Sequence, residues 1–144
     1  EGKGTEKVGA IRADLQKAME ADMQVFRTDE TIRAALATIA ELEERYKNIS
    51  IQDKGKRFNL DLLEAVELGF LIELAKVMSV GALHRKESRG GHYREDFPKR
   101  DDVNFMKHSM VYLDPESEFE GVKGLRFETK PVVYTRYEPK ERKY

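Results

Sequence analysis

The sequence contains no cysteine and no tryptophan. Without cysteine the chain forms no disulfide and offers no thiolate ligand to a metal ion. Net charge is almost absent as well, because 26 Lys and Arg residues stand against 27 Asp and Glu residues and leave a formal charge of −1 at pH 7. Such a chain has no global field that attracts nucleic acid or an anionic membrane surface, and we expect neither as a direct partner.

A long uncharged apolar run is also missing. The most apolar stretch, residues 62–83, carries Glu64, Glu67, Glu73 and Lys76, and each of these charges is costly inside a bilayer. The stretch therefore predicts a buried helix rather than a membrane span. The 144 residues suit one compact domain, and 40% of them are hydrophobic, which is enough for a core. Because the chain opens on EGKG without a Met or a signal-peptide pattern, we expect it to be a piece of a larger protein.

Two amphipathic helices are predicted in the first fifty residues. Thr5 is a candidate cap for the first, and Thr28–Asp29 for the second. Apolar residues then recur at steps of three and four, which places them on one side of each helix. The first stripe consists of Val8, Ile11, Leu15, Ala18, Met19, Met23 and Phe26, and the second of Ile32, Ala35, Leu36, Ile39, Leu42, Tyr46 and Ile49.

A third helix is predicted after a loop at residues 50–58, with Asn59 as its cap. It is apolar around most of its circumference, so we expect it to contact the C-terminal segment or a surface outside this chain. Gly90 is expected to cap its end in a left-handed conformation, and Gly91 to extend the break. Three cations are expected in its last turn, namely Arg85, Lys86 and Arg89.

The hydrophobic period changes near the C-terminus. Residues 105–113 are rich in β-formers, residues 114–117 read DPES and favour a turn, and residues 125–130 alternate apolar and charged side chains. This pattern predicts a β-hairpin that leans on the helices. The expected fold is therefore mainly α, with a three-helix bundle at 1–90. A charged loop, the hairpin and a tail at 91–144 pack on it within one domain.

The segment RKESRGGHYREDFPKRDD, residues 85–102, is the densest in charge and is called the charged segment below. A metal site is a weak interpretation of it, because His84, His92 and His108 show no metal-ligand spacing and Asp101–Asp102 lacks that of a calcium loop. A nucleic-acid site is equally weak, because six basic residues are offset by five acidic ones.

Catalysis by the charged segment is a third interpretation. His92 beside Arg94 and Asp96 forms a possible acid–base cluster, but no nucleophile motif or phosphate loop accompanies it. Arg–carboxylate pairs favour instead a surface that fixes orientation, where Gly90 and Gly91 would permit close backbone approach. A self-paired loop facing solvent explains the same residues equally well, and both interpretations remain open at this point.

Residues 85–108 resemble the signature of the C-terminal domain of the succinate dehydrogenase and fumarate reductase flavoprotein subunits. That signature is roughly R-x-E-S-R-G-A-H-x-R-x-D-x-P-x-R-D-D, followed by a pair of strands with K-H-T. Gly91 replaces its usual Ala, and Ser109 its common Thr. The resemblance extends over the whole chain to the ERKY terminus. The matching residues are Arg85, Glu87, Ser88, Arg89, Gly90, His92, Arg94, Asp96, Pro98, Arg100, Asp101 and Asp102.

The resemblance implies a spectrin-like three-helix bundle in a subunit that binds FAD and interconverts succinate and fumarate. Electrons would pass to an iron–sulfur subunit and then to quinone through a membrane anchor. The FAD-binding and substrate motifs of that family lie upstream of this domain, and none occurs in these 144 residues. We therefore expect no catalytic, cofactor-binding or metal-binding residue here, and no activity from this piece alone. The sequence is closest to bacterial forms, which implies a place at the cytoplasmic face of the inner membrane, in contact with the membrane only through the anchor.

The resemblance also gives the charged segment a hypothetical role. We expect it to cap the third helix and to orient this domain against the upstream FAD-binding domain or the iron–sulfur subunit. The residues expected to do so are Arg85, Glu87, Ser88, Arg89, His92, Arg94, Asp96, Arg100, Asp101 and Asp102. Two alternatives are the C-terminal domain of L-aspartate oxidase, which carries a similar E-S-R-G segment, and a free-standing helical interaction module.

Overall fold

The computed structural model describes residues 4–140. Three helices, two short paired strands and one long hairpin make up this part of the chain. They confirm the predicted mainly α fold, with a three-helix bundle, an irregular loop and a C-terminal β-hairpin. The elements are α1 (Val8–Asp22), β1 (Phe26–Arg27), α2 (Asp29–Tyr46), α3 (Leu60–His84), β2 (Tyr93–Arg94), β3 (Lys107–Phe119) and β4 (Val122–Pro131).

The core lies where one face of each helix meets the other two. α1 contributes Ile11 and Leu15, α2 contributes Ile39 and Leu42, and α3 contributes Leu68, each with at most 5% of its surface exposed. The four residues of α1 and α2 belong to the predicted stripes, because steps of three and four place side chains on one side of a helix. Burying each such side chain stabilises the fold by about 1.5–3 kcal/mol. Among residues 4–140, no helix combines the length and the apolar character that crossing a membrane requires.

The start of α1 differs from the prediction. Lys7 occupies the N-cap position and makes no side-chain capping bond. The Thr5 hydroxyl instead accepts a 3.2 Å hydrogen bond from the Asn48 side chain. The backbone N–H of Glu6 donates to Asn48 O at 3.1 Å, and Ser50 N–H donates to Glu6 O at 2.9 Å. The predicted cap by Thr5 is wrong because this extended pairing holds residues 4–6 beside the end of α2.

The predicted caps of α2 and α3 are confirmed. Thr28 Oγ1 accepts from the N–H of Thr31 at 3.2 Å, and Asn59 Oδ1 accepts from the N–H of Leu62 at 2.8 Å. Each bond satisfies one of the backbone N–H groups that a helix leaves unpaired in its first turn.

The end of α3 falls at His84, one turn earlier than predicted. Gly90 has φ +59°, but it lies in a two-residue turn with Gly91, across which Arg89 and His92 exchange backbone hydrogen bonds of 2.8 and 3.0 Å. A Cβ added at either glycine would meet no described atom within 4 Å. The turn, rather than a helix cap or close approach, therefore requires Gly90. The predicted last turn is wrong for Arg85, Lys86 and Arg89, which all lie beyond the helix.

A pair of two-residue strands was not expected from the sequence. β1 pairs in parallel with β2, with Phe26 opposite Tyr93 and Arg27 opposite Arg94. The two aromatic rings meet edge to face, with centroids 5.7 Å apart. Phe26 therefore belongs to this pairing and is 66% exposed, so its prediction as part of the first helical stripe is wrong. The strands tie the α1–α2 connection to the charged segment.

The hairpin is confirmed, but its turn is displaced. The chain reverses at Glu120 and Gly121, with φ of +52° and +79°, and not at residues 114–117. Asp114 accepts bonds from Glu116 N–H at 3.2 Å and from the Ser117 hydroxyl at 2.9 Å. These local bonds accompany a bulge in β3 between paired regions of the ladder. The turn chemistry of DPES is therefore real, but it bends a strand instead of ending it.

The predicted division into 1–90 and 91–144 remains a prediction. The β1–β2 pairing joins the two parts across that boundary. The ERKY terminus at residues 141–144 lies outside the described residues.

Gly69 of α3 lies against the ring of Tyr46, and this contact gives a testable prediction. The Tyr46 hydroxyl donates to Ala65 O at 2.9 Å, and a Cβ at position 69 would lie 2.7 Å from that hydroxyl oxygen. We expect Gly69→Ala to lower the free energy of unfolding by about 1 kcal/mol, because displacing Tyr46 outweighs the better helix propensity of Ala. In a Tyr46→Phe background the loss should shrink by about 1 kcal/mol. Urea unfolding of the four variants measures this coupling, and additive effects would contradict the contact.

Candidate functional site

The charged segment is organised around the carboxylate of Glu87, which is 0% exposed. Arg89 donates to it through Nε at 2.8 Å and Nη2 at 3.0 Å. Arg85 donates through Nη1, and the backbone N–H of Asp101 donates at 2.8 Å. Four donors thus surround one buried carboxylate. A buried charge is tolerated only when it is paired and hydrogen-bonded in this way.

Arg85 connects Glu87 to the start of the hairpin. Its Nη1 donates to Phe105 O at 2.9 Å and its Nη2 to Lys107 O at 2.6 Å. Nη2 also donates to the Ser109 hydroxyl at 3.1 Å. The hydroxyl at position 109, where the family signature often has Thr, therefore contacts the network directly.

The far end of the charged segment folds back onto Arg89. Asp102 accepts from Arg89 Nη2 and from Arg100 Nη2, both at 2.7 Å. Asp101 instead stabilises its own turn, because its carboxylate accepts from Val103 N–H at 3.0 Å and from Asn104 N–H at 2.9 Å. The two adjacent aspartates therefore have different hydrogen-bond partners. Within residues 4–140 they do not form part of a metal-binding group.

A second ion pair joins the buried Arg94, which is 0% exposed, to Asp96, whose side chain is 29% exposed. Two bonds of 2.7 and 2.6 Å link the guanidinium to both carboxylate oxygens. Arg94 Nη1 also donates to Ala82 O at 2.9 Å and Leu83 O at 3.2 Å, at the end of α3. Asp96 in turn accepts from Asp29 N–H at 2.9 Å, at the start of α2. The pair therefore ties a helix C-terminus to a helix N-terminus.

His92 lies between two arginines. A carbonyl can only accept, so Nε2–H donates to Arg85 O at 2.9 Å. A guanidinium can only donate, so Nδ1 accepts from Arg27 Nη1 at 3.2 Å. Burial lowers the pKa of His92, and the nearby charges of Arg27, Arg94 and Arg85 lower this pKa further. The ring is therefore a neutral structural link rather than a proton donor at neutral pH.

Ser88 completes the predicted set. Its hydroxyl donates to Phe97 O at 2.9 Å and accepts from Arg94 N–H at 2.9 Å. All ten predicted residues thus lie in the segment that closes the end of α3. His92 does not contact Asp96 in an acid–base pair, because Arg94 occupies that carboxylate. Within residues 4–140, no group of three or more His, Asp or Glu side chains is arranged to hold a metal ion.

Several participants in the network were not predicted from the sequence, among them Arg27, Asp29 and Phe105. Arg27 and Asp29 lie more than 60 positions before the residues that they bond. Phe105 takes part through its backbone carbonyl. No local pattern marks such contacts.

The network predicts a loss of stability in acid. Burial alone would raise the pKa of Glu87, but hydrogen bonds from Arg89, Asp101 N–H and Arg85 outweigh it and hold this pKa below its usual value. The pKa of Asp96 is also lowered, mainly by its bonds to Arg94. A carboxylate with a lowered pKa in the folded state stabilises the fold above its unfolded pKa and loses that contribution as pH falls. Unfolded Asp and Glu have pKa values of about 3.9 and 4.3.

We therefore expect the urea midpoint to be constant between about pH 5 and 7 and to fall steadily below about pH 4.5. The Glu87→Gln variant provides the control, because it should show a shallower fall from a lower plateau. An identical pH dependence in both proteins would contradict the role of Glu87.

The fold and the network define a class of protein domain, namely a three-helix bundle whose last helix is followed by ion pairs centred on buried Glu87 and Arg94, and then by a β-hairpin. The sequence model of the family described as fumarate reductase flavoprotein C-term matches residues 12–144. The chain belongs to this family of flavoprotein C-terminal domains, which confirms the family suggested by the resemblance.

Known relatives share most of the chain. It is 41% identical over 144 residues to the 8-methylmenaquinol:fumarate reductase flavoprotein subunit of Wolinella succinogenes, a match that covers 99% of this chain and 22% of that protein. It is 42% identical over 107 residues to the succinate dehydrogenase flavoprotein subunit of Rickettsia conorii, covering 74% of this chain and 18% of that protein.

A solved structure agrees with these relatives. The FrdA chain of a mutant E. coli quinol fumarate reductase superposes with a TM-score of 0.86 at 37% identity, over 96% of this chain and 23% of that chain. The present chain thus spans less than a quarter of the length of each of these proteins.

Proposed function

We propose that the chain is the non-catalytic C-terminal part of a longer oxidoreductase subunit that interconverts succinate and fumarate. Family membership and the names of the similar proteins support this assignment. In this proposal the longer subunit passes electrons to an iron–sulfur subunit and then to quinone. The complex would lie at the cytoplasmic face of a bacterial inner membrane and reach the membrane only through its anchor.

The longer subunit is proposed to carry FAD in its upstream part. The residues described here do not fit this cofactor. A dinucleotide pyrophosphate binds where a glycine-rich turn leads from a strand into the N-terminus of a helix. Gly90 and Gly91 instead follow a helix and form a turn between Arg89 and His92. We therefore assign no flavin contact and no catalytic step to this chain.

The observation that carries the non-catalytic role is the mutual pairing of the charged segment. Glu87 and Arg94 are both 0% exposed. The arginines around them are bonded to carboxylates of the same segment, as in Arg89–Asp102 and Arg94–Asp96. Groups held in this way rigidify a structure and are unavailable for substrate chemistry.

We further propose that the charged segment orients this domain in the assembly, through the ten residues predicted from the sequence. Its partner would be the upstream FAD-binding domain or the iron–sulfur subunit. The groups best placed for an outward contact are Arg100 and Asp102, whose side chains are 32% and 40% exposed. Arg85, Glu87 and Arg94 would act indirectly, by fixing the shape of the segment.

The assignment is tested with the full-length subunit. Purified full-length protein should bind FAD and reduce fumarate with a reduced dye as electron donor, whereas residues 1–144 alone should do neither. A full-length subunit without flavin, or a yellow preparation of the 144-residue chain, would contradict it.

The orienting role has its own test. Arg100→Gln in the full-length subunit should weaken assembly with the iron–sulfur subunit, or lower activity, without a large change in thermal unfolding. Arg126→Gln is the matched control, since Arg126 is also partly exposed and pairs with Asp114 on the hairpin. Equal behaviour of the two variants would count against the role.

A further inference from the structure

α3 has two apolar faces, and only one of them lies in the core. Ala65, Leu68 and Ile72 point into the bundle and are at most 3% exposed. The opposite side carries large apolar side chains with between 41% and 66% of their surface exposed. This outer face of α3 consists of Leu60, Leu62, Leu63, Val66, Phe70, Leu71, Leu74 and Met78.

The outer face runs the length of the helix, and only Glu67 lies within its central row. Leu63, Phe70, Leu74 and Met78 follow one another at steps of seven and four, which places them on one side. A soluble monomer rarely exposes an apolar patch larger than a few hundred Å², and larger patches mark interaction sites. Covering these side chains with a partner removes apolar surface from water, which is the dominant favourable term in most protein association.

The loop before α3 extends this face with Phe58, which is 97% exposed and has φ +52°. A bulky residue with positive φ is uncommon and persists only where its surroundings enforce it. Asn59 Nδ2 donates to Asp53 O at 2.8 Å and to Gly55 O at 3.0 Å, and Asp61 accepts from Asp53 N–H at 3.2 Å. The loop is thus held in a shape that presents an aromatic ring to solvent.

We propose that the outer face of α3 and Phe58 form the docking surface for the part of the same subunit that precedes this chain. This inference rests on the proposed function, in which the chain is the C-terminal part of a longer subunit. Relatives of the chain are more than four times as long, so most of the subunit lies outside this structure. An occupant joined to the same chain also meets the surface at a high effective concentration.

The chemistry of the surface specifies its partner. Only Glu67 and Glu73 interrupt the apolar residues along the outer face, so the matching surface is mainly apolar. Beside Phe58 stand Lys54, Lys56 and Arg57, for which no ion pair with residues 4–140 is found. The surface that covers this end should therefore be acidic around a pocket for an aromatic ring.

The hairpin offers no comparable surface. Its apolar side chains face charged residues on the neighbouring strand, since Met110 lies opposite Glu128 and Tyr112 lies opposite Arg126. Leu113 on β3 is 59% exposed, which matches the 57% of Leu74 on the outer face. These two leucines form a matched pair for a test, because they differ mainly in their location.

The test measures accessibility in the flavin-loaded full-length subunit. Leu74→Cys and Leu113→Cys are prepared separately, since residues 1–144 contain no cysteine of their own. Maleimide labelling at each site is followed by mass spectrometry of the peptide that contains it. We expect position 74 to react at least about tenfold more slowly than position 113, because it is reached only by local opening. After denaturation the two rates should agree, and Phe70→Cys repeats the test if Leu74→Cys folds poorly.

Each of the other labelling outcomes contradicts a different part of the proposal. Equal labelling at the two positions in the folded subunit would overturn the docking surface. Protection that disappears on dilution to a monomer would overturn it in favour of a second copy, and protection that needs the iron–sulfur subunit would overturn it in favour of that partner. Absence of flavin from the full-length subunit contradicts the proposed function, whereas equal labelling in a flavin-loaded subunit contradicts the docking surface alone.

Discussion

Glu87→Gln is expected to lower the free energy of unfolding by about 3–5 kcal/mol at pH 7. The substitution keeps the size of the side chain but removes the charge that Arg85 and Arg89 share. Both arginine side chains are largely covered, with 16% and 27% of their surface exposed, so water only partly replaces the carboxylate. The amide would also place an NH2 group against these donors, where no acceptor is available.

Glu128→Gln is the control for this prediction. Glu128 also pairs with an arginine, Arg126, but both side chains lie on the hairpin surface and are about half exposed. Exposed pairs of this kind contribute at most about 1 kcal/mol. Urea unfolding at pH 7 measures both variants. Similar losses for Glu87→Gln and Glu128→Gln would mean that burial of the network does not determine its energy.

The bundle could be predicted from sequence because its signals are local. The stripe containing Ile39 and Leu42 is set by the period of the helix, and the caps at Thr28 and Asn59 bond to residues three positions ahead. Each such signal needs only a few neighbouring residues to be recognised. The long apolar run likewise indicated correctly that α3 has more apolar surface than two helices cover.

Element ends were predicted less well, because distant groups decide them. The cations after His84 suit a helix C-terminus, yet the last carbonyls of α3 are taken by Arg94 from beyond the helix. In the hairpin, DPES and Glu120–Gly121 both favour reversal of the chain. The pairing of β3 with β4 places the reversal at Glu120–Gly121. The sequence does not show which residues pair across the strands, so it cannot decide between the two turns.

The candidate site was located by resemblance, whereas its internal pairing required the structure. The sequence shows that Arg and carboxylate residues alternate at residues 85–102. Which arginine pairs with which carboxylate depends on the folded backbone and cannot be seen in the sequence. Glu87 pairs with Arg85 and Arg89. Asp96 pairs with Arg94 and also accepts a hydrogen bond from the backbone N–H of Asp29. Composition could not distinguish a self-paired loop from an outward surface. The 0% exposure of Glu87 and Arg94 favours the first for the centre of the segment.

Arg94→Met is the second substitution with a large expected effect, about 2–3 kcal/mol, most of it from buried carbonyls that lose their donor. It leaves Asp96 without its partner and frees Ala82 O and Leu83 O at the buried end of α3. Arg94→Lys should recover only a small part of this loss, because one ammonium cannot reproduce the two-pronged bond to Asp96 while also reaching both carbonyls. The guanidinium also lies 5.1 Å from the centre of the Phe97 ring, a contact that Lys would make differently.

The double variant Arg94→Met with Asp96→Asn separates the ion pair from the helix end. Removing both charges eliminates the uncompensated carboxylate, but it leaves the two carbonyls of α3 unbonded. We therefore expect the double variant to lose about 1 kcal/mol less than the sum of the two single variants, and to remain less stable than the natural sequence. Urea unfolding of the four proteins completes the cycle. If the double variant were as unstable as the sum of the single variants, Arg94 and Asp96 would act independently, and the link between the end of α3 and the start of α2 would not depend on their pairing.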